Sequence, residues 1–364
     1  MLHRRLLDRL DLPTILATVL LAGVGMMAIA SATADQVGRN RDLWKQQLIW
    51  FALGALAACV VIAVDYHVWS ELWLALHSLA IALLVAVLFF GKEIGGNKSW
   101  LRIGGLGFQP SELAKWTTCL ATAAFLAKRV RGPLRLVDAL QLGGIIGVPM
   151  LLIAKQPDVG TALTFVPLFL TALMLGGLRW RWVGVALIAG TLLAPVGWSH
   201  LKNYQRERIL TVIDPDRDPS GVGYQVRQSK IAVGSGRVTG KGLFKGTQNR
   251  LSFLPAPHTD FVLAVVSEEL GFIGAAGVLA LLFYLLYRGF LAARTAQDRL
   301  GTYLSLLVVA WFTGQASINI GMVLGLMPTI GVPLPFLSYG GTALIAALCG
   351  MGLIANVRGR RFVN

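Results

Sequence analysis

LPTILATVLLAGVGMMAIASA, residues 12–32, runs for 21 residues without one ionisable side chain. An α-helix needs about 20 such residues to cross the hydrocarbon core of a bilayer, so this stretch alone reads as a membrane span. Working outward, comparable apolar blocks occupy 46–64, 72–90, 112–127, 139–154, 159–176, 182–199, 260–287, 302–325 and 341–357. Across the chain 55% of residues are hydrophobic and 14% are charged, against about 25% charged in a soluble domain. The expected fold is an all-α polytopic membrane protein of about ten transmembrane helices in a single domain over 1–364. The blocks at 112–127 and 139–154 are short, which leaves tilt or partial re-entry open. A cleaved signal peptide is the other reading of the first block, since Arg4, Arg5 and Arg9 precede it and Ala30-Ser31-Ala32 closes it. Its apolar run exceeds the roughly 7 to 15 residues of a signal core, which favours a retained span.

Ten crossings place both termini on one side, and the basic residues choose that side. Arg4, Arg5, Arg9, Lys128, Arg129, Arg131, Arg135, Arg179, Arg181, Arg288, Arg294, Arg299, Arg358, Arg360 and Arg361 share one set of ends and loops. The opposite short loops hold only Arg39, Arg41, Lys45, Lys92, Lys98, Arg102 and Lys155. Fifteen against seven puts both termini in the cytoplasm. The formal charge of +15 therefore belongs largely to topology and, without a zinc-ligand spacing or an RNA-binding motif, does not point to nucleic acid. Cys59, Cys119 and Cys349 all fall inside apolar blocks, where a free cysteine behaves as a small hydrophobe.

One segment breaks the charge rule. The long loop 200–260, between helices seven and eight and placed outside, carries ten Lys or Arg, and from Ser220 to Arg250 there are six and no acid. It is either a solvated or lipid-facing loop, or a lid that neutralises a polyanionic substrate, with Lys241 and Lys245 as its candidate cations. The run GSGRVTGKGLFKG, 234–246, suits the second reading because glycine lets backbone N–H groups approach a phosphate.

Polar groups at the membrane blocks are costly and mark candidate sites. Glu112 and Lys115 lie three apart at the mouth of the fourth block, so on a helix they share a face and can pair; they either hold helices together or meet substrate. Asn97, Lys98, Ser99, Trp100 and Arg102, flanked by glycines, read as an interfacial turn. Gln156, Pro157 and Asp158, followed by Gly160 and Thr161, sit at a tight outer turn where Asp158 can cap the next helix. In PAPHTDF, 255–261, Asp260 stands where the basic loop meets the eighth block, as a helix cap or as a carboxylate made more basic by a low-dielectric mouth. Glu268 and Glu269 fall about 12 Å further along that helix at 1.5 Å per residue, out of reach of Asp260, and read as a buried polar contact. The run 319–342, NIGMVLGLMPTIGVPLPFLSYGGT, holds three prolines and five glycines. It cannot be helical throughout and is expected to line a cavity, which Ser338 and Tyr339 would face.

These residues resemble a known family. The run 319–342 resembles the C-terminal motif of the RodA/FtsW/SpoVE proteins, in which an Asn, a Pro-x-x-Gly turn and Ser-Tyr-Gly-Gly recur in that order. GSGRVTGKGLFKGTQNRLSFLPAPHTDF, 234–261, is similar to the family's long extracellular loop, and GTQ followed by FLP favours the RodA branch. QPSELAK, 109–115, and QPDVGTAL, 156–163, extend the similarity over essentially the whole chain. Ala256 stands where an acidic residue is common, and Arg237 where glycine is common.

The resemblance implies a peptidoglycan glycosyltransferase that polymerises lipid II on the outer face of the bacterial cytoplasmic membrane during elongation. It implies a class B penicillin-binding protein as partner, among other elongation-complex proteins. No cofactor is certain, although a divalent cation, Mg or Mn, is compatible. On this reading Asp260 is the catalytic base. Glu112, Lys115, Lys241, Lys245, Gln156, Asp158, Thr161, Ser338 and Tyr339 are the substrate-binding candidates, with no metal ligand. The alternative from another class is a flippase that moves lipid II without forming bonds; a scaffold would leave Asp260 and the Glu112/Lys115 pair unexplained. Against the flippase, the apt groups gather at one face, whereas alternating access needs a central site.

Overall fold

The computed structural model describes residues 11–34, 41–94, 97–103, 106–129, 132–179, 203–219 and 221–361, with isolated positions between 181 and 199. Apart from those positions the seventh apolar block, 182–199, lies outside the described residues, as do Arg4, Arg5, Arg9, Arg39 and Arg131. Every other block becomes helix: α1 (Leu12–Ala32), α2 (Leu43–Ala63), α3 (Tyr66–Glu71) leading into α4 (Trp73–Phe90), α5 (Pro110–Lys128), α6 (Leu136–Lys155), then α7 (Val159–Leu163) and α8 (Phe165–Leu175). Of these and the C-terminal helices described below, seven are long and apolar enough to cross a bilayer.

The two blocks that looked short are full-length helices, because each extends past its apolar run into polar residues. α5 has 19 residues and rises about 28 Å, close to the roughly 30 Å of a hydrocarbon core. Ser111, Glu112, Lys115, Thr117, Thr118 and Thr122 lower its hydropathy, and all are buried. Small polar residues let neighbouring helices approach closely in a membrane, so α5 sits inside the bundle. Burial separates the other helices in the same way: only 17% of the apolar window of α2 and 22% of those of α4 and α6 is buried, which places these three on the lipid-facing rim.

Between α4 and α5 the expected interfacial turn is a three-stranded antiparallel sheet, β1 (Lys92–Ile94), β2 (Asn97–Ile103) and β3 (Leu106–Phe108) in that order. Lys92 pairs with Trp100 and Leu101 with Phe108. Lys98 Nζ donates to the carbonyls of Leu88 and Phe89 at 3.0 and 3.3 Å, groups that the end of α4 leaves without intrahelical donors.

The stretch 200–260 is not a bare loop. It contains α9 (Asn203–Ile213), α10 (Val222–Ser235) and α11 (Thr247–Arg250). The buried face of α10 is Gly223, Val226, Ser229 and Ala232, a stripe with a single bulky hydrophobe, so its apolar signal is weak. Ser229 Oγ docks it by donating to the Val323 carbonyl at 2.8 Å.

Three long helices complete the chain: α12 (Val262–Thr295), α13 (Arg299–Val323) and α14 (Gly341–Gly359). The windows of α13 and α14 are 61% and 72% buried, the reverse of α2, so both belong to the interior. Between them, 324–340 is irregular as its prolines and glycines require. α12 breaks at Gly271, whose φ of 66° and ψ of −165° are non-helical. The glycine-rich run packs on this break: a Cβ on Gly236 would lie 1.9 Å from the Ser267 carbonyl oxygen. Its glycines thus give close approach to a helix backbone.

Candidate active site

α12 begins at Val262 with Phe261 in the capping position and no side-chain cap, so the Asp260 carboxylate is not the cap of that helix. It faces a cavity of about 460 Å³. One wall is its own turn, Pro255, Ala256 and Thr259; the facing wall is the irregular segment through Thr329, Ile330, Gly331 and Pro333, with Tyr339, Gly340, Thr342 and Ala343 beside it and Met322 of α13. Asn97, Ser99 and Trp100 of β2 and Gln109 close one side, Asp158 and Thr161 another, and Arg208 of α9 and Gln225 of α10 reach in from the outer helices.

Asp260 keeps some surface open to the cavity while protein surrounds the rest. Desolvation raises its pKa to about 6, reinforced by the charge of Asp158 and opposed by the Thr259 hydroxyl and the Arg208 guanidinium. Asp158 is also pushed upward by burial. Both its oxygens accept: Oδ1 from the Thr161 amide and Oδ2 from Gln109 Nε2, each at 3.1 Å. Asp158 therefore caps α7 and carries cavity charge as well.

The turn bearing Asp260 is tied down from two directions. Asn319 Nδ2 donates to the Asp260 carbonyl at 2.9 Å and to the Val332 carbonyl at 2.7 Å. The Tyr339 amide donates to the His258 carbonyl at 2.8 Å. Gly331, at φ 68°, runs beside the carboxylate; a Cβ there would lie 3.4 Å from Asp260 Oδ2.

Of the candidates named from the sequence, Asp260, Asp158, Thr161 and Tyr339 meet in this cavity, and six others are placed behind or away from its wall. Lys115 Nζ donates to Glu112 Oε1 at 2.8 Å and to Gln315 Oε1 at 3.0 Å, with both side chains buried; Glu112 also lines the second cavity described below. Gln156 Nε2 holds the Leu84 carbonyl at 2.9 Å. Ser338 Oγ accepts from the Leu334 amide at 2.8 Å, shaping the loop. Lys241 Nζ donates to Glu268 Oε1 at 2.6 Å, and Lys245 is exposed. Two cavity residues, Arg208 and Gln225, carry no sequence signal that points to them; Gln109 and Trp100 are legible only as parts of a family motif and an interfacial turn.

A second cavity of about 600 Å³ adjoins the first and is almost wholly apolar, lined by Trp50, Val60, Trp69, Phe108, Trp116 and Ile345 among others. Thr342 lines both.

The cell cycle protein family that comprises FtsW, RodA and SpoVE matches residues 11–361. The chain belongs to this family. The peptidoglycan glycosyltransferase MrdB of Escherichia coli K12 is 38% identical over 355 residues, covering 97% of this chain and 95% of its own. Stage V sporulation protein E of Bacillus subtilis is 36% identical, covering 95% and 96%. A solved chain from a peptidoglycan synthase complex that coordinates polymerization and crosslinking matches with a TM-score of 0.83 at 32% identity, covering 98% of this chain and 99% of that one. The rod shape determining protein RodA of Thermus thermophilus matches with a TM-score of 0.72 at 28% identity, covering 98% of each. The resemblance read from the motifs therefore holds, and so does the expected all-α, multi-pass membrane fold.

Proposed function

We infer that this member of the FtsW/RodA/SpoVE family is a peptidoglycan glycosyltransferase, and we propose that its reaction takes place at Asp260 on the lipid-linked precursor lipid II. The observation that carries the proposal is the pairing of cavities. A polar cavity with a carboxylate and a guanidinium opens beside an apolar one, and a substrate that is sugar and pyrophosphate at one end and polyprenyl at the other needs both.

At neutral pH Asp260, with a pKa near 6, is ionised yet more basic than an ordinary carboxylate, the condition that suits a general base. It takes the proton of the acceptor sugar's 4-hydroxyl as that oxygen bonds to the donor's anomeric carbon. The bond from that carbon to the pyrophosphate oxygen breaks, and the pyrophosphate departs on its lipid. A single displacement inverts the centre, so no second carboxylate is needed as nucleophile. Arg208, a cation in the cavity wall, stabilises the charge that develops on the pyrophosphate. Among the described residues no three His, Cys, Asp or Glu side chains converge; Asp260 and Asp158 are the carboxylates of the cavity, and they would hold a divalent cation only together with the substrate's own phosphates.

The excess of basic residues on one set of loops supports cytoplasmic termini in the bacterial inner membrane, with Asp260 and the domain's 200–260 segment outside. Single cysteines at Ser235 and Gly132 should then label from opposite faces, and labelling from one face would reverse the assignment. A class B penicillin-binding protein as crosslinking partner in cell elongation rests on the kinship with RodA. The decisive experiment supplies labelled lipid II to the purified protein with its partner. The parent should make a glycan ladder, and Asp260→Asn, matched for folded protein, should lose it by roughly 100-fold or more. Robust polymer from the variant would remove Asp260 from the mechanism.

A further inference from the structure

Behind the cavity wall, Trp311, Gln315 and Asn319 stand one turn apart on the same face of α13. All three are buried, at 1%, 3% and 0% exposure. Gln315 Oε1 accepts from Lys115 Nζ at 3.0 Å and from Trp311 Nε1 at 2.9 Å. Neither an ammonium nor an indole N–H can accept a hydrogen bond, so the amide oxygen must face them and the amide nitrogen must face away. There it donates to the Pro333 carbonyl at 2.8 Å. One turn on, Asn319 Nδ2 spans the adjacent Val332 carbonyl and the carbonyl of Asp260 itself. Two consecutive carbonyls of the wall opposite Asp260 are thus pinned to one helix, and the same helix pins the Asp260 turn.

We propose that Gln315 and Asn319 are positioning residues that set the Asp260 carboxylate against the 331–333 wall, and that the buried Glu112–Lys115 pair acts on the reaction through them by fixing the Gln315 amide. The inference rests on Asp260 being the base. It gives the ion pair a part in the chemistry although neither charge lines the polar cavity. The ammonium orients one amide, the amide holds Pro333, and its neighbour holds the residue that moves the proton. A displacement of about 1 Å at a reacting group can cost roughly 100-fold in rate, so such tethers need not touch substrate to matter.

Gln315→Glu isolates the tether. It still accepts from Lys115 and Trp311 but turns an oxygen instead of a donor toward Pro333. In the full-length protein with its partner, using labelled lipid II, kcat should fall by roughly 10- to 100-fold with little change in KM. The acid limb of kcat should also move to lower pH in Asn319→Ser, which loosens the Asp260 turn and lets in water without adding a charge near it. Unchanged kcat in Gln315→Glu would overturn the proposal. So would a lower rate in Asn319→Ser with the limb in place, because that means only fewer competent molecules. Asn319→Ser, with kcat read out in the same way, also tests the tether from its other end should Gln315→Glu fail to fold. If Asp260→Asn still polymerises, the base assignment itself is what fails, whatever the Gln315 variant does.

Discussion

The backbones of Gly240 and Gly271 lie against each other: a Cβ on Gly240 would stand 2.6 Å from the Gly271 nitrogen, and one on Gly271 2.3 Å from the Gly240 nitrogen. Around this contact the glycine-rich run replaces the missing turn of α12. The amides of Phe272 and Ile273 donate to the carbonyls of Arg237 and Val238 at 2.8 and 3.1 Å. The carbonyls of Glu268 and Glu269 accept from the amides of Lys241 and Gly242 at 3.0 and 2.9 Å. A break in a membrane helix is tolerated where protein satisfies the freed groups, and here four are satisfied by one loop. The segment after the break is long enough to cross the bilayer by itself, so the nine residues before it, all but one buried, form a separate platform with Asp260 at its head.

Alanine at either glycine should therefore be severe. Both have positive φ, 80° and 66°, which costs a residue with a side chain about 1–3 kcal/mol, and the clash with backbone adds to that. Gly277, on the same helix, has nothing within 4 Å of where a Cβ would stand, and Gly277→Ala should be neutral or stabilising by up to about 1 kcal/mol. Thermal unfolding in detergent separates them; equal midpoints for Gly240→Ala and Gly277→Ala would show that the splice is dispensable.

The two lysines of the basic run should part company. Glu268 Oε1 receives Lys241 Nζ and the amides of Thr247 and Gln248 at 2.8 and 3.1 Å, with its side chain fully buried. Glu268 is buried but the Lys241 side chain is 26% exposed, so the loss should fall below the roughly 3–5 kcal/mol of a fully buried pair; Lys241→Gln and Glu268→Gln should still each destabilise the protein, and the double change by less than their sum. Lys245→Gln, at an exposed position, should stay within about 0.5 kcal/mol. Melting curves of the four variants decide it, and strict additivity would count against the pair.

How much of this was legible in the sequence depends on how far apart the partners lie. The spans are written in local composition, so α1 to α14 could be anticipated wherever an apolar block existed, whereas α9 and α10 bury too few bulky side chains to announce themselves. Glu112 and Lys115 could be paired from their spacing, but Gln315, which gives that pair its direction, is two hundred positions further on. Lys241 read as a candidate cation of a substrate lid because its neighbours are basic and no acid lies between Ser220 and Arg250; its acid waits 27 positions later inside the helix. Arg208 is one of ten basic residues in its segment, and only folding shows that it reaches the cavity.

On the opposite face from the cavity, by the proposed orientation, His67 should make stability pH-dependent. Its Nδ1 lies 2.8 Å from Asp65 Oδ1 and its Nε2 2.6 Å from Asp298 Oδ2. A neutral imidazole donates from one nitrogen only, so both contacts are served by the protonated ring. Burial lowers the His67 pKa, but the hydrogen bonds and charges of Asp65 and Asp298 outweigh it and the net shift is upward. A raised folded pKa gives stability that is fully present below the unfolded value of about 6.5 and is lost as pH rises through the folded one. The melting midpoint of the parent should fall relative to His67→Gln across that window. A constant difference between the two would mean that the ring is not charged in the fold.

Activity and stability should respond to the Asp260 carboxylate with opposite sign. With a pKa raised to about 6, the base form is lost as pH falls through that value, so the polymerisation rate should drop about tenfold per unit below it. Stability runs the other way: protonation of a carboxylate whose folded pKa is raised favours the fold, so the protein should lose stability, not gain it, as pH rises from the ordinary aspartate range of about 4 toward 6. Two neighbours test the cause. Arg208 favours the charged form and Asp158 opposes it, so Arg208→Gln should move the acid limb to higher pH and Asp158→Asn to lower pH. Desolvation is the larger influence and remains in both variants, which means that neither should return the limb to that of a free carboxylate. Profiles of kcat/KM against pH for the parent and both variants, taken at subsaturating lipid II so that they report the free enzyme, provide the measurement. Limbs that shift in the same direction, or not at all, would show that the titrating group is not a carboxylate placed between these two charges.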